Sequence, residues 1–432
     1  MYIQKKIKSF FQSPIVKNFL ISSFGSFLMR SIGILLAPIT MKILNPSDYG
    51  IIALSNSFVG IVAAFISLGM RRAFTIEYFH CNTIARKILI NGMISLYMLV
   101  ATPFIVFLVV YPSIIKTAVF ANQAPTIIVV LSLVHSYLYF FVEFFYQLLT
   151  YRAEILKMTI IQTSVALFTI ALNITFLVWF KWGAVSIIAG QVIGLIIVCL
   201  IGMRSYFQTS CHQYIKIKNA LKKYKGYLKY GLPFVPGALC SWIFDSSDRW
   251  VLAHYATIHD VGIYSLASVF GQLFQILILI PMERAYIPAV MKKFSEHKDD
   301  LLSVERWNRK MMVSSMIGLG IIISVGYVVC KPILYYILPL RYQPAIKYIW
   351  MILMGYIFLL GERFANIFIV FKKKIAFQAA SFIVPSMLNL SLNLILVPHF
   401  GITGCVIATM LASASHFIIK FGYNFFLGKK SE

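Results

Sequence analysis

Twelve stretches of roughly twenty predominantly apolar residues, set between clusters of Lys and Arg, leave few structures open to this chain. A backbone crossing hydrocarbon must satisfy its own N–H and C=O groups, and a helix of about twenty residues does so while spanning the bilayer. The spans read at 18–41, 49–70, 88–111, 126–149, 158–180, 183–203, 228–253, 261–283, 311–330, 346–371, 375–397 and 401–427. With 60% hydrophobic and 12% charged residues and a mean hydropathy of +0.82, the chain belongs to the all-α integral membrane class.

The formal charge of +25 is not a nucleic-acid footprint, because the basic residues sit between apolar spans rather than on one soluble face. Of the 39 Lys and Arg, 29 fall in or at the edge of alternate segments, and the opposite loops hold only Lys42, Lys116, Lys181, Lys331, Arg341 and Lys347. The positive-inside rule then puts both termini in the cytoplasm. Lys5, Lys6 and Lys8 lead into an apolar run too long for a signal h-region, so the first span is expected to stay. The expected organisation is a cytoplasmic segment 1–17, a six-helix bundle 18–203, a cytoplasmic linker 204–227, a second six-helix bundle 228–427 and a cytoplasmic tail 428–432. The linker carries Lys216, Lys218, Lys222, Lys223 and Lys225, which read either as a plain positive-inside anchor or as a site for anionic lipid.

Residues 42–74 are echoed 212 positions later by 254–286. Asp48 and Asp260, Gly50 and Gly262, Ile51 and Ile263, Leu54 and Leu266, Met70 and Met282, Arg72 and Arg284, and Ala73 and Ala285 are identical at that offset. Leu172-Asn173 recurs as Leu392-Asn393, each followed by a turn containing Gly183 or Gly401. Internal repeats mark the halves of many membrane transporters and place the working site between them. Six spans per half is an even number, so the halves are expected to enter the membrane in the same direction.

An ionisable side chain near the bilayer centre costs about 2.5–3.5 kcal/mol on the lenient insertion scale, so each one asks for a partner, a wet cavity or a function. Arg30 lies amid Ser22, Ser26, Gly33 and Ala37 at helical spacing, and either offers a cation to an anionic group or pairs with a neighbouring helix. His135, Tyr139, Glu143 and Gln147 repeat every four residues on the fourth span, and Thr409, Ser413, His416, Lys420 and Asn424 make a similar stripe on the twelfth. Such stripes face water or pack between helices. The seventh span carries Asp245, Asp248 and Arg249, with Asp245 and Arg249 spaced for an i, i+4 ion pair. Glu362 and Arg363 point about 100° apart and suit partners on other helices. Asn389 and Asn393 form an i, i+4 amide pair, while Pro233, Pro236, Gly237 and Pro281 mark helix ends or hinges.

The sequence has no Walker A loop, HExxH, GxSxG elbow or metal-binding cysteine spacing among its six cysteines. No catalytic set, cofactor or metal is expected, and the short outward loops count against a membrane polymerase.

The stretch LLAPITMKILNPSDYGIIAL (Leu35 to Leu54), with ISLGMRRAF after it, resembles the polysaccharide transporters that include the Wzx-type O-antigen flippases. DRWVLAHYATIHDVGIYSLAS (Asp248 to Ser268) and LNLILVPHFGITGCVIAT (Leu392 to Thr409) extend the resemblance over essentially the whole chain. The wider group contains multidrug and toxin extruders and lipid II flippases, so the resemblance implies a MATE-like pair of six-helix bundles around a cavity with alternating access. It further implies a bacterial inner-membrane flippase for a polyprenyl-pyrophosphate-linked oligosaccharide, working in membrane lipid. A polysaccharide polymerase and a chain-length regulator are the partners it implies. On this reading Arg30 and Lys420 cradle the pyrophosphate, and Arg249, Arg363, Tyr139, Gln147 and His416 line its path. Glu143, Asp248 or Asp245 would couple transport to H+ or Na+. The rival within transport is a cation-coupled drug extruder, which the basic residues at depth disfavour.

Overall fold

The computed structural model describes residues 40–209, 217–297 and 300–429, and every regular element among them is helical. Arg30 and the rest of the first expected span lie outside the described residues. In chain order the helices are α1 (Pro46–Ile66), α2 (Met70–Tyr78), α3 (Thr83–Val110), α4 (Pro112–Phe120), α5 (Thr126–Tyr151), α6 (Ile155–Val178), α7 (Ala184–Thr209) and α8 (Ile217–Gly231). They continue as α9 (Val235–Tyr255), α10 (Ile258–Phe274), α11 (Ile280–Glu296), α12 (Leu301–Ile337), α13 (Ile346–Phe371), α14 (Ile375–Ala380) and α15 (Ile383–Lys429). Nine helical stretches among the described residues are long and apolar enough to cross a membrane, and the last of them runs through a break at Gly401.

Several boundaries differ from the apolar windows, each for a local reason. The second span stops at Ile66, where Leu68 and Gly69 take positive φ values of 47° and 66°, and α2 begins after that turn. Arg71, which the apolar pattern puts in a loop, is therefore helical. Around Pro281, five residues Gln275–Leu279 form a π-helical turn. A proline has no N–H for the carbonyl four residues earlier, and a π-turn is one way a helix absorbs that loss. Pro233 sits in a single 3-10 turn, Leu232–Phe234, ahead of α9.

The chain packs as two compact units. Among the described residues, one comprises 40–44, 58–118 and 124–235, and the other comprises 45–57, 119–123 and 236–429. Val142, Phe145, Leu149 and Val198 form a core in the first unit. In the second, Val290, Phe294, Val304 and Phe368 form one core, and Leu279, Met312, Leu360 and Phe364 another. Along α12, Ile317, Ile321, Val325 and Val328 are exposed at successive turns, the apolar outer face a lipid-bathed helix requires.

The repeat shows in the helix ends. Thr126–Tyr151 and Ile346–Phe371 are both 26 residues long and 220 positions apart, and both end in a left-handed residue, Ala153 or Lys373. Each left-handed turn returns the same bond, Glu154 N–H to Leu149 O and Lys374 N–H to Ile369 O. Asn82 caps α3 through Ala85 N–H as Asp300 caps α12 through Ser303 N–H. Gly183 and Gly401 both have φ near +55°, at 58° and 54°.

The 212-residue echo has a physical cause as well. Asn45 and Asp48 exchange side-chain-to-backbone hydrogen bonds at the start of α1, and Thr257 and Asp260 do the same at the start of α10. These are capping boxes at equivalent positions, which accounts for the paired aspartates. The paired glycines let the two helices touch. A Cβ on Gly50 would lie 2.1 Å from Ile258 O, and one on Gly262 would lie 1.8 Å from Pro46 O. Pro46 and Ile258 are themselves equivalent at that offset, so both helices meet through the same residues. This crossing lies within the second unit.

Candidate functional site

Four charges step through the second unit from the buried interior toward the surface. Lys420 and Glu362, both almost fully buried, form a tight ion pair, and the Lys420 ammonium also donates to Asn366 Oδ1 at 3.1 Å. The other Glu362 oxygen, Oε2, stands 3.4 Å from Arg363 Nε, and Arg363 Nε stands 3.1 Å from Glu283 Oε1. Arg363 and Glu283 are partly exposed, with side-chain values of 39% and 25% against 4% for both inner residues. His416 Nε2 is 3.9 Å from Glu362 Oε1 and makes no hydrogen bond. The stripe of Ser413, His416, Lys420 and Asn424 is buried throughout, and Asn424 donates to Ala365 O at 2.8 Å.

A second cluster lies on α9. The Asp248 carboxylate accepts from the Tyr264 hydroxyl through Oδ2 and from the Arg249 backbone N–H through Oδ1 at 2.8 Å. Arg249 Nη1 reaches Asp248 Oδ1 at 3.4 Å and the main-chain oxygen of Asp245 at 2.8 Å. The expected side-chain pair between Asp245 and Arg249 is thus replaced by one between Asp248 and Arg249. Helical side chains lean toward the N-terminus, which carries the guanidinium back to the Asp245 carbonyl, while Tyr264 anchors Asp248 beside it. Asp245 is exposed and joins this cluster through its main-chain oxygen.

In the first unit, Arg71 Nη2 and Glu143 Oε2 pair at 3.0 Å. Beside them the Gln147 amide donates to Arg71 O, Thr75 Oγ1 and Tyr151 OH at 3.2, 2.9 and 2.8 Å, and Tyr151 donates to Thr75 at 2.7 Å. Gln147 Oε1 and His135 Nδ1 are buried without a hydrogen-bond partner. Tyr139 is exposed.

Matching helix ends sorts these features into two kinds. Arg71 and Glu143 correspond to Glu283 and Arg363, so an ion pair occurs at the same place in both halves. The polar groups around it differ. Thr75, Gln147 and Tyr151 become Ile287, Ile367 and Phe371, which lie in or against an apolar core. Glu362, Asn366 and Lys420 in turn correspond to Val142, Tyr146 and Gly202. The buried Lys420–Glu362 pair therefore belongs to one half alone.

Of the residues expected at the site, Asp245, Asp248, Arg249, Arg363, His416 and Lys420 lie in the second unit, and Tyr139, Glu143 and Gln147 lie in the first. Sequence reasoning missed Arg71 and Glu283, the partners of Glu143 and Arg363, and did not connect Lys420 with Glu362. A signal for the first two was present, because Arg71 stands opposite Glu283 in the echo next to the identical Arg72 and Arg284.

Comparison with known proteins follows the same lines. A protein family described as polysaccharide biosynthesis protein matches residues 15–295, more than half of the 432-residue chain. No curated protein matches. Among solved structures, lipid II flippase MurJ in an inward closed conformation gives a TM-score of 0.75 at 15% identity, covering 94% of this chain and 87% of that one. An inward-facing multidrug resistance MATE family transporter of the MOP superfamily gives 0.70 at 13% identity, covering 93% and 95%. A MOP superfamily transporter from Pyrococcus furiosus gives 0.54 at 12%, covering 97% and 96%. At such identities the likeness speaks for the fold, and function must be argued from the site.

Proposed function

Because this chain belongs to the polysaccharide biosynthesis protein family, we propose that it is a carrier moving a polyprenyl-pyrophosphate-linked oligosaccharide, of the O-antigen kind, between leaflets of the bacterial cytoplasmic membrane. A pyrophosphate cannot enter hydrocarbon unaided, so such a carrier needs cations at membrane depth and acids that keep them neutral between cargoes. The observation that carries the reading is the buried Lys420–Glu362 pair. Burying an ion pair contributes little net stability, and an apolar replacement of the same volume often does as well. At the equivalent positions the first half has no charge: it has Val142 and Gly202, with the Phe145 ring packed against the glycine. Retention of the charges in one half is best explained by a task.

In this reading a cargo phosphate competes with Glu362 for Lys420, with His416 alongside, while the glycan passes polar groups such as Tyr139 and Gln147 and the prenyl tail stays in lipid. Arg249 serves the same path, and Arg30, outside the described residues, is retained as part of the cradle. Asp245 is an exposed carboxylate one turn from Arg249 and suits the coupling ion, H+ or Na+, with Asp248 held by Tyr264. Polymerase and chain-length regulator remain the expected partners.

Vesicles containing the purified protein and a fluorescent polyprenyl-pyrophosphate oligosaccharide test the proposal by the rate at which label reaches the opposite leaflet. The protein should accelerate that movement, and Lys420→Ala should abolish the acceleration; a wild-type rate equal to that of protein-free vesicles sinks the carrier reading.

A further inference from the structure

The ion pair common to both halves has its charges exchanged. Arg71 on α2 faces Glu143 on α5, whereas Glu283 on α11 faces Arg363 on α13. Arg71 and Glu283 are related by the 212-residue offset of the echo, Glu143 and Arg363 by the 220-residue offset of the two 26-residue helices. Cation and acid have changed places while separation and exposure have not. The two pairs close at 3.0 and 3.1 Å, the arginines are 43% and 39% exposed, and the glutamates 28% and 25%.

Each half also packs an aromatic pair between the same two helices, Phe74–Phe144 at 4.6 Å and Tyr286–Phe364 at 4.5 Å, but the polar surroundings differ. Around Arg71 and Glu143 is a hydrogen-bonded lattice of Thr75, Gln147 and Tyr151. Around Glu283 and Arg363 are the apolar replacements on one side and Glu362 on the other. A group that reads the charge of a cargo or coupling ion needs one sign at one place. These positions tolerate either sign, provided the partner carries the opposite one. What both halves preserve is the attraction between two helices.

We propose that Arg71–Glu143 and Glu283–Arg363 are one clamp built twice, fastening the helix that follows the second span of each half to the partner helix regardless of which bears the cation. The four residues are positioning residues: they hold α2 on α5 and α11 on α13, and through the second clamp they fix Glu362 in reach of Lys420. Neither Glu143 as coupling acid nor Arg363 as cargo ligand is required on this account. Only the export readout below rests on the carrier reading.

Charge reversal separates the roles. Glu143→Arg sets two arginines against each other, and Arg363→Glu sets two glutamates together; each single variant should lower surface glycan in producing cells by about tenfold or more, since like-charge juxtaposition costs several kcal/mol. The exchanged double Arg71→Glu with Glu143→Arg should return export to within about twofold of wild type, whereas Glu283→Arg with Arg363→Glu should recover only in part, because the new acid at 363 also meets Glu362. The second readout is the yield of monodisperse protein after detergent extraction, which should fall in the singles and recover in the doubles whether or not the protein exports glycan. An Arg71→Glu, Glu143→Arg double that recovers as folded protein but not in export would overturn the clamp, because polarity would then matter. Singles that match wild type in both readouts would overturn it too. Absence of export by the wild-type protein would count against the carrier reading, leaving the extraction readout to decide the clamp.

Discussion

Replacing Gly50 by alanine tests whether the contact between α1 and α10 is as close as the helix backbones indicate. The new Cβ would stand 2.1 Å from Ile258 O, and the matching change at Gly262 would bring one to 1.8 Å from Pro46 O. Ordinary carbon–oxygen approach is about 3.3–3.6 Å, so the helices must separate by more than about 1 Å. Both obstructing atoms are backbone, which cannot swing aside as a long side chain would. Overpacking of this kind costs about 1–3 kcal/mol, and the better helix propensity of alanine returns about 1 kcal/mol. Clashes this deep against backbone take the upper part of that range, about 2–3 kcal/mol, so a net loss of about 1–2 kcal/mol is expected for either single change, read by thermal or denaturant unfolding in detergent micelles. Gly318→Ala is the control: it lies inside α12 with nothing within 4 Å of its would-be Cβ, and should gain about 0.5–1 kcal/mol. The double variant is the sharper test. Once one alanine has parted the helices the second meets less resistance, so the combined loss should fall short of the sum by at least about 0.5 kcal/mol. Additive losses, or a Gly50→Ala protein as stable as wild type, would refute the close crossing.

Lys420→Met takes from Glu362 its buried partner, leaving Arg363 on its other oxygen, and should cost up to about 3–5 kcal/mol, most of it recovered when Glu362→Gln is added, as followed by the same unfolding measurement. If the carrier reading holds, that recovered double still fails to move lipid-linked glycan. Tyr264→Phe deprives the buried Asp248 carboxylate of its hydroxyl donor and should cost about 1–3 kcal/mol, with a smaller loss when Asp248→Asn is already present.

The helices were legible wherever an apolar run had clear ends, and Ile346–Phe371 coincides with its apolar window. The echo announced a duplicated frame, and the capping pairs Asn45–Asp48 and Thr257–Asp260 explain why aspartate recurs in it. Partnerships between distant helices were not legible. Lys420 and Glu362 are 58 residues apart, and a polar stripe tells which face of a helix is polar without telling what stands opposite. Arg71 escaped for a different reason: α2 is a nine-residue helix of low hydropathy beyond an apolar span, and a hydropathy window ends where its charges begin. The Asp245–Arg249 spacing misled because i, i+4 rules describe isolated helices, and here a hydroxyl from α10 holds Asp248 nearer to the guanidinium.

The glycine crossing bears on how such a chain could arise. A contact in which Pro46 meets Gly262 and Ile258 meets Gly50 is self-complementary: one surface supplies both sides. That is the isologous geometry of a two-fold dimer, so a half-length polypeptide could form it with a second copy of itself and would need no new surface. While both sides are written by one gene, any substitution strikes the interface twice. Joining two copies in one chain removes that constraint. Arg71 and Glu283 could then take opposite charges, and Lys420 could acquire its acid in one half alone, while the glycines at the seam stayed as they were.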